Sequence, residues 1–371
     1  MSNNRFRILP FKGILRFFSL ATALALLVSY ISVFVHPEKF WPLQFFGLLY
    51  PILLLLSLFF LIYFLLKKSR WLLLPLLTIL LGGKLHFRYV NLGFGEKLKI
   101  ENAESSFKLM SYNVRLFDFY LSSEEGKNVN KNNILNYVNA QQPDVLCFQE
   151  FFYTQESENF NTKDTLLALL KTKNYHDRVK FQKNKKRNFG ISLISKYPII
   201  SKGEVSFPGT SSNYCIYADI NLGKDTVRVY NTHLQSVRIK NDDVNFDLDD
   251  DEQTNLLRLK TTVRKLKTAY PVRIKQSRLI LKHAAASPFP VVICGDFNDA
   301  PMSYTYNLFN KNYTDAFRNS GFGFGRTYAG KLPAGRIDYI WHNKSIASDN
   351  FNIQSETYSD HHAISAKIIL P

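Results

Sequence analysis

Residues 291–298 read VVICGDFN, a run of β-branched and small apolar residues that stops on Gly295 and is followed at once by Asp296 and Asn298. Such a run is long enough for a buried strand. Gly295 permits a close backbone approach just before the carboxylate. Working outward, the same design recurs. KLMSYN closes on Asn113, DVLCFQE on Glu150, and VRVYNTH on Asn231 and His233; Asp338 lies in RIDYIW, and Asp360 and His361 in YSDHHA. One polar residue closing an apolar strand means little, because every chain must leave its core. Six such endings, all supplying carboxylate, carboxamide or imidazole, predict one rim of a sheet on which these groups converge.

Between these endings the pattern predicts strands at 108–114, 144–151, 190–195, 214–220, 227–233, 290–295, 337–342 and 362–370. Helical patterns fall at 131–140, 165–171, 254–267, 271–286 and 304–310, the third and fourth separated near Pro271. Strands both alternate with helices and succeed one another directly, so an α/β domain with a mixed sheet and helices packed outside is expected. An acidic run, DDVNFDLDDDE, followed by the basic amphipathic NLLRLKTTVRKLK, reads as a loop and helix inserted after a strand. Cys147, Cys215 and Cys294 each sit in an apolar run and read as buried and unpaired; three cysteines make no disulfide framework, and none has zinc-site spacing.

Carboxylates, amides and imidazoles at one rim suit hydrolysis of a phosphate ester. The reaction needs a hard cation, and Mg²⁺ prefers carboxylate and amide oxygens, with Mn²⁺ as the alternative. It also needs a base to orient water and donors for the developing charge. No G-x-S-x-G and no phosphate-cradling G-x-x-x-x-G-K-[ST] occurs in the sequence. Taken singly, Asn113 or Asn231 could be a turn former, and Asp338 could simply pair with Arg336.

The ordered set SYN, QE, NTHL, GDFN, RIDYI and SDH resembles the endonuclease/exonuclease/phosphatase superfamily, over residues 108–370. The resemblance implies a four-layer α/β sandwich of two mixed β-sheets flanked by helices. It implies Glu150 as principal Mg²⁺ ligand with Asn113 beside it, and Asp360 as a further metal ligand. Asp296 would orient or deprotonate water, Asn298 would hold the phosphate, and His233 would donate to phosphate or the leaving oxygen. His361 would contact the scissile phosphate, oriented by Asp338. Whether Asp296 or His361 is the base stays open. A catalytically inactive binding scaffold on the same fold is the alternative, against which stands the presence of Glu150, Asp296 and His361.

The first hundred residues differ in kind. Residues 17–35 carry no charge over 19 positions and 45–66 none over 22, each long enough to cross a bilayer. A third apolar stretch, 71–83, is short for a span, with Lys84, His86 and Arg88 just beyond it. Of the net charge of +17, the first hundred residues supply 12 basic against 2 acidic side chains, and the remainder 35 against 28. The charge therefore reports membrane topology more than nucleic-acid binding. Arg5, Arg7, Lys12 and Arg16 precede the first span and Lys67, Lys68 and Arg70 follow the second, which places both ends in the cytoplasm. If the third stretch crosses, the remaining domain faces outward. The expected organisation is a membrane anchor of two or three helices over 1–100 and a catalytic domain over 101–371. The expected setting is multi-pass in a bacterial inner membrane, with the domain facing the periplasm. The expected partners are the lipid bilayer and a phosphate-ester substrate, nucleic acid or a phospholipid headgroup, with no obligate protein partner. The run KNKKR at 183–187 could meet a polyanion, and Phe181, Phe189, Phe207, Tyr304 and Tyr306 could line a groove, although such residues are more commonly solvated loop and core.

Overall fold

The computed structural model describes residues 8–93, 105–120, 124–156, 158–182, 186–209, 213–237, 252–330 and 335–371. The acidic run at 242–251 and residues 183–185 of the basic run lie outside them.

Among the described residues, twelve strands form two six-stranded sheets. The first has the order β11 (Ala347–Ile353), β12 (Ile364–Ile369), β1 (Ser106–Asn113), β2 (Val145–Thr154), β4 (Arg187–Ser195), β3 (Asn174–Gln182). The second has the order β9 (Tyr313–Asp315), β10 (Asp338–Asn343), β8 (Val291–Asp296), β7 (Thr226–His233), β6 (Cys215–Asn221), β5 (Ile199–Glu204). Each sheet holds one parallel pair, β1 with β2 and β7 with β8, and all other neighbours are antiparallel.

The sheets pack face to face through Leu109, Cys147 and Leu193 on one side and Ala218, Val229, Cys294 and Ile340 on the other. The outer face of the first sheet carries α5 (Glu124–Gln141) and α6 (Thr162–Leu169), through Ile134, Val138 and Leu166. The outer face of the second carries α7 (Glu252–Ala285) and α8 (Tyr304–Asn312), through Ile280, Ala284 and Phe309. The result is the four-layer sandwich of mixed sheets that the motif order implied. Inner strands are apolar on both faces, as burial on both sides requires. All three cysteines are buried and free.

The eight strands legible in sequence are the eight interior ones. The four it lacked, β3, β5, β9 and β11, are the four edges. A second difference is α7, a single helix through Pro271 where sequence predicted two. Proline forfeits one helical hydrogen bond, at a cost of about 3 kcal/mol. Leu266, Tyr270 and Ile274, all buried around it, supply enough packing to carry the helix through.

The N-terminal segment is helical: α1 (Ile8–Ser32), α2 (Pro42–Leu48), α3 (Tyr50–Leu66) and α4 (Leu73–Gly82), the last continued as a 3₁₀ turn over Gly83–Arg88. Lys12–Ser32 and Arg70–Arg88 are each long and apolar enough to cross a membrane, and α2 and α3 together make a bent pair. The uninterrupted span read at 45–66 is thus broken, with α2 turned 62° from α3. Pro51 in the first turn of α3 has no N–H to offer the Gly47 carbonyl, so the helix cannot run straight through Leu49. The helices pack through Leu26, Tyr30, Val33 and Tyr50, and Met302 of the sandwich completes their core. At the opposite end the Arg16 guanidinium lies 5.3 Å from the Trp71 ring. The end of α1 that carries Arg16 therefore points away from the sandwich.

Candidate active site

Parallel neighbours end at the same edge of a sheet, and their antiparallel neighbours begin there. This rule alone gathers the polar residues. In the first sheet Asn113 pairs with Gln149, one residue before Glu150, and His361 lies three residues before β12. In the second, His233 pairs with Asp296 and Asp296 with Asp338, the first residue of β10. Two sheets packed face to face then bring the two rims together. Gly295, at φ +135°, has no room for a Cβ against the Thr232 carbonyl, so the parallel pair can close tightly just before Asp296.

Asp296 is the centre. Its Oδ2 accepts from Asn113 Nδ2 and Asn298 Nδ2, both at 3.0 Å, and its Oδ1 accepts from the Asn298 backbone at 2.8 Å. Asn298 is held at φ +53°, a conformation asparagine tolerates, and its amide also reaches the Leu234 carbonyl at 3.1 Å. Two histidines face the same carboxylate oxygen: His233 Nε2 at 3.6 Å and His361 Nε2 at 3.8 Å. His361 Nδ1 contacts both oxygens of Asp338, at 3.0 and 3.1 Å, which fixes the ring. Burial alone would favour neutral imidazole, but Asp338 and Asp296 outweigh it and push the His361 pKa up to about 10.

The other half of the rim is open. Glu150 sits at φ +48° where β2 slips register against β4 between Phe148 and Phe151, a bulge that re-aims the side chain out of the strand pattern. Its carboxylate is 36% exposed, against 1% for Asp296, and lies 3.9 Å from His233 Nε2. Asp360 is 35% exposed, with Arg115 Nε 4.0 Å away. Ser359 Oγ donates to the Asn113 carbonyl at 2.9 Å and ties this loop to the end of β1.

The donor chemistry fits a hard cation and a phosphate. Glu150 and Asp360 offer exposed carboxylate oxygens, and Asn113 Oδ1, which accepts only the Arg115 backbone at 3.1 Å, keeps a second lone pair. His233 Nε2 is buried without a hydrogen-bond partner, aimed between Glu150 and Asp296. A buried orphan donor of this kind marks a place for a ligand atom. Asp296, Asp338 and His361 also come within 4.8 Å of one another, close enough to share an ion among the described residues. The double contact of Asp338 with His361 Nδ1, however, is that of an oriented ion pair.

Several sequence readings resolve differently. Asp338 does not pair with Arg336, which instead grips Asp315 at 2.7 and 3.0 Å and donates to the Arg88 carbonyl at 2.6 Å. Asn231 lies within the core, its Nδ2 bonded to the Phe148 and Ser192 carbonyls and its Oδ1 accepting from Gln149 Nε2 at 2.7 Å. It is an amide tie between the two sheets. Tyr304, Tyr306, Phe189 and Phe207 do not line the site cavity, and the Phe181 side chain lies outside the described residues. Residues the sequence reading missed stand in their place. Tyr328 packs edge-on to His361 with centroids 5.3 Å apart, and burial with the Asp360 and Asp296 charges pushes its phenol up to about 12. Thr327 Oγ1 accepts from the Ile337 and Asp338 backbones. Tyr328 and Thr327 sit in a segment with no periodicity, whereas Arg115, two residues beyond Asn113, was visible as a charge just past a strand end.

A model of the Endonuclease/Exonuclease/phosphatase family matches residues 110–361, and a model of a domain of unknown function matches residues 12–89. No curated protein sequence matches. Solved structures do. An endonuclease/exonuclease/phosphatase from Beutenbergia cavernae aligns with TM-score 0.52 at 15% identity, covering 71% of this chain and 72% of its own. Family proteins from Bacteroides thetaiotaomicron and Bacteroides vulgatus align with TM-scores 0.52 and 0.51 at 14% and 16% identity, each covering 72% of this chain and 98% or 100% of its own.

Proposed function

Since the chain belongs to the endonuclease/exonuclease/phosphatase family, we propose that it is a membrane-anchored, metal-dependent phosphoesterase that hydrolyses a phosphate ester with activated water. The observation that carries this reading is the convergence on Asp296 of Asn113, Asn298, His233 and His361 from both sheets. Asp296 accepts the proton of the attacking water, oriented by Asn113 and Asn298. His233 Nε2 donates to a phosphoryl oxygen or to the departing alcohol. His361, turned by Asp338, places positive charge against the phosphate. Glu150, Asn113 and Asp360 would hold the cation, Mg²⁺ or Mn²⁺, which would supply Lewis-acid neutralisation of the phosphoryl charge.

The anchor reading is supported by the apolar helices and by their polarity. Arg16 lies at the end beside Trp71, whereas Ser32 and Arg88 meet the sandwich at the opposite end. Positive charge held in the cytoplasm then puts the sandwich outside, in the periplasm of a bacterial inner membrane.

The test uses the purified full-length protein with Mg²⁺ or EDTA on bis-p-nitrophenyl phosphate, plasmid DNA, RNA, sphingomyelin vesicles and inositol phosphates. Metal-dependent turnover of any of these, abolished by Asp296→Asn and His361→Ala, supports the reading. Turnover that survives both variants, or a folded protein inert on every substrate, counts against it.

A further inference from the structure

The cavity over the catalytic residues has a volume of about 190 Å³ and is bounded on one side by Glu150, Asp296, Asp360 and His361. Its lining also holds an apolar group, Leu48, Val237, Leu266, Tyr270 and Ile337, beside the polar Ser236, Arg273 and Asp299. Leu48 is the last residue of α2, in the N-terminal helical segment, and it packs with Leu266, Tyr270 and Ile337 into one buried cluster. The N-terminal segment is thus a structural part of the catalytic cavity.

This placement is fixed by specific contacts. Ser32 Oγ donates to the Met302 carbonyl at 3.0 Å, and Arg88 donates to the Pro301 carbonyl at 3.0 Å. Gln44, 2% exposed, donates to the Ser32 carbonyl at 2.8 Å and accepts from the Tyr304 backbone at 3.3 Å. At Gly47 any Cβ would collide with the Met302 carbonyl, so α2 lies directly on the loop that follows Asn298. The bend at Pro51 is what turns Leu48 toward the cavity. Beside Leu48 the cluster is completed by α7, whose preceding turns expose Leu256, Leu257 and Leu259 among basic residues, the composition of a helix face lying at a lipid surface.

We propose that Leu48, with Leu266 and Tyr270, forms an apolar subsite that binds the hydrocarbon part of an amphiphilic phosphate ester drawn from the bilayer, so that the anchor itself determines specificity. The inference rests on the phosphoesterase reading and adds to it where the substrate's apolar group sits. Leucine side chains and the Tyr270 ring reward each methylene removed from water, which sugar hydroxyls or an inositol ring do not supply.

The experiment uses the full-length protein in dodecyl maltoside, which carries no competing phosphate, with Mg²⁺ and p-nitrophenyl diesters bearing methyl, butyl or octyl chains. Water attacks phosphorus, p-nitrophenolate leaves, and the alkyl phosphate remains, so every ester reports the same bond. The expected result is a kcat/KM that climbs with chain length, by about fourfold per buried methylene over the first carbons. Leu48→Gln flattens that climb, and Leu48→Met preserves it; partition into detergent is common to all three proteins and cancels. Should Leu48→Gln fail to fold, Leu266→Gln in the same cluster reads the same slope. A chain-length dependence that is flat in the native protein, or unchanged in Leu48→Gln, overturns the subsite while leaving the phosphoesterase standing. A native protein inert on all three esters overturns both.

Discussion

The two halves of the catalytic rim differ in how much of their arrangement is complete before any ligand arrives. Asp296, Asp338, His361 and Asn113 are at most 5% exposed and satisfy one another through bonds that cross from sheet to sheet. Glu150, Asp360 and Arg115 are 35–44% exposed, and their charged partners stand 3.5 to 4.0 Å away. The buried half resembles a finished polar network, rigid because each member has its partners. The open half has free lone pairs and room to move, which suits groups whose partners are a cation and a phosphate. Protein dipoles already in position stabilise charge without reorganising, whereas an exposed carboxylate gains its value only when a counter-charge binds.

The comparison can be broken most easily at its centre. Asp296→Asn should reduce kcat by about 10²–10⁴-fold, the usual worth of a positioned proton acceptor, and no excess of Mg²⁺ should restore it. Recovery at high metal would move Asp296 into the open, cation-holding half. Asp338→Asn should cost on the order of ten- to hundredfold, as expected for losing one charged hydrogen bond that orients a buried ring; unchanged turnover would show that His361 needs no orienting partner. Glu150→Gln is the sharpest test of the open half. At low Mg²⁺ its loss should be at least tenfold, and titrating the metal should recover part of it. A deficit that metal cannot touch would place Glu150 in the proton-transfer machinery. The smallest effect is expected for Arg115→Ala, severalfold in KM with kcat nearly kept, because an exposed pair 4.0 Å apart contributes little.

The same contrast explains what the sequence could disclose. Asn113, His233 and Asp296 were readable because each abruptly ends a run buried on both faces, and His361 because it stands just before one; the topology places such positions at one rim. Asn231 carries an identical signature, yet it points inward, since alternate residues of a strand face opposite sides and the pattern does not say which. The edge strands escaped for a related reason. Asn174–Gln182 reads NYHDRVKFQ and Ala347–Ile353 reads ASDNFNI, and a strand with only one buried face and one neighbour mixes polar residues freely. The left-handed backbone at Glu150 left no mark, because a bulge is a property of two strands and the text shows one. Leu48 could not be found at all. A reading that assigns 45–66 to lipid has no means of placing its fourth residue against Tyr270, more than 200 positions away.

The hydrogen bond from Asn113 to Asp296 joins residues 183 apart, and His361 reaches Asp296 only when β12 enters its interior slot between β11 and β1. A chain emerging from the ribosome therefore carries most of its sandwich for many seconds, at roughly 5–20 residues per second, without the imidazole that finishes the centre. The candidate centre is complete only once that interior strand is inserted. On the anchored phosphoesterase reading, the helices at the start would by then have reached the bilayer, so the enzyme would be installed there before it could cleave anything on the way.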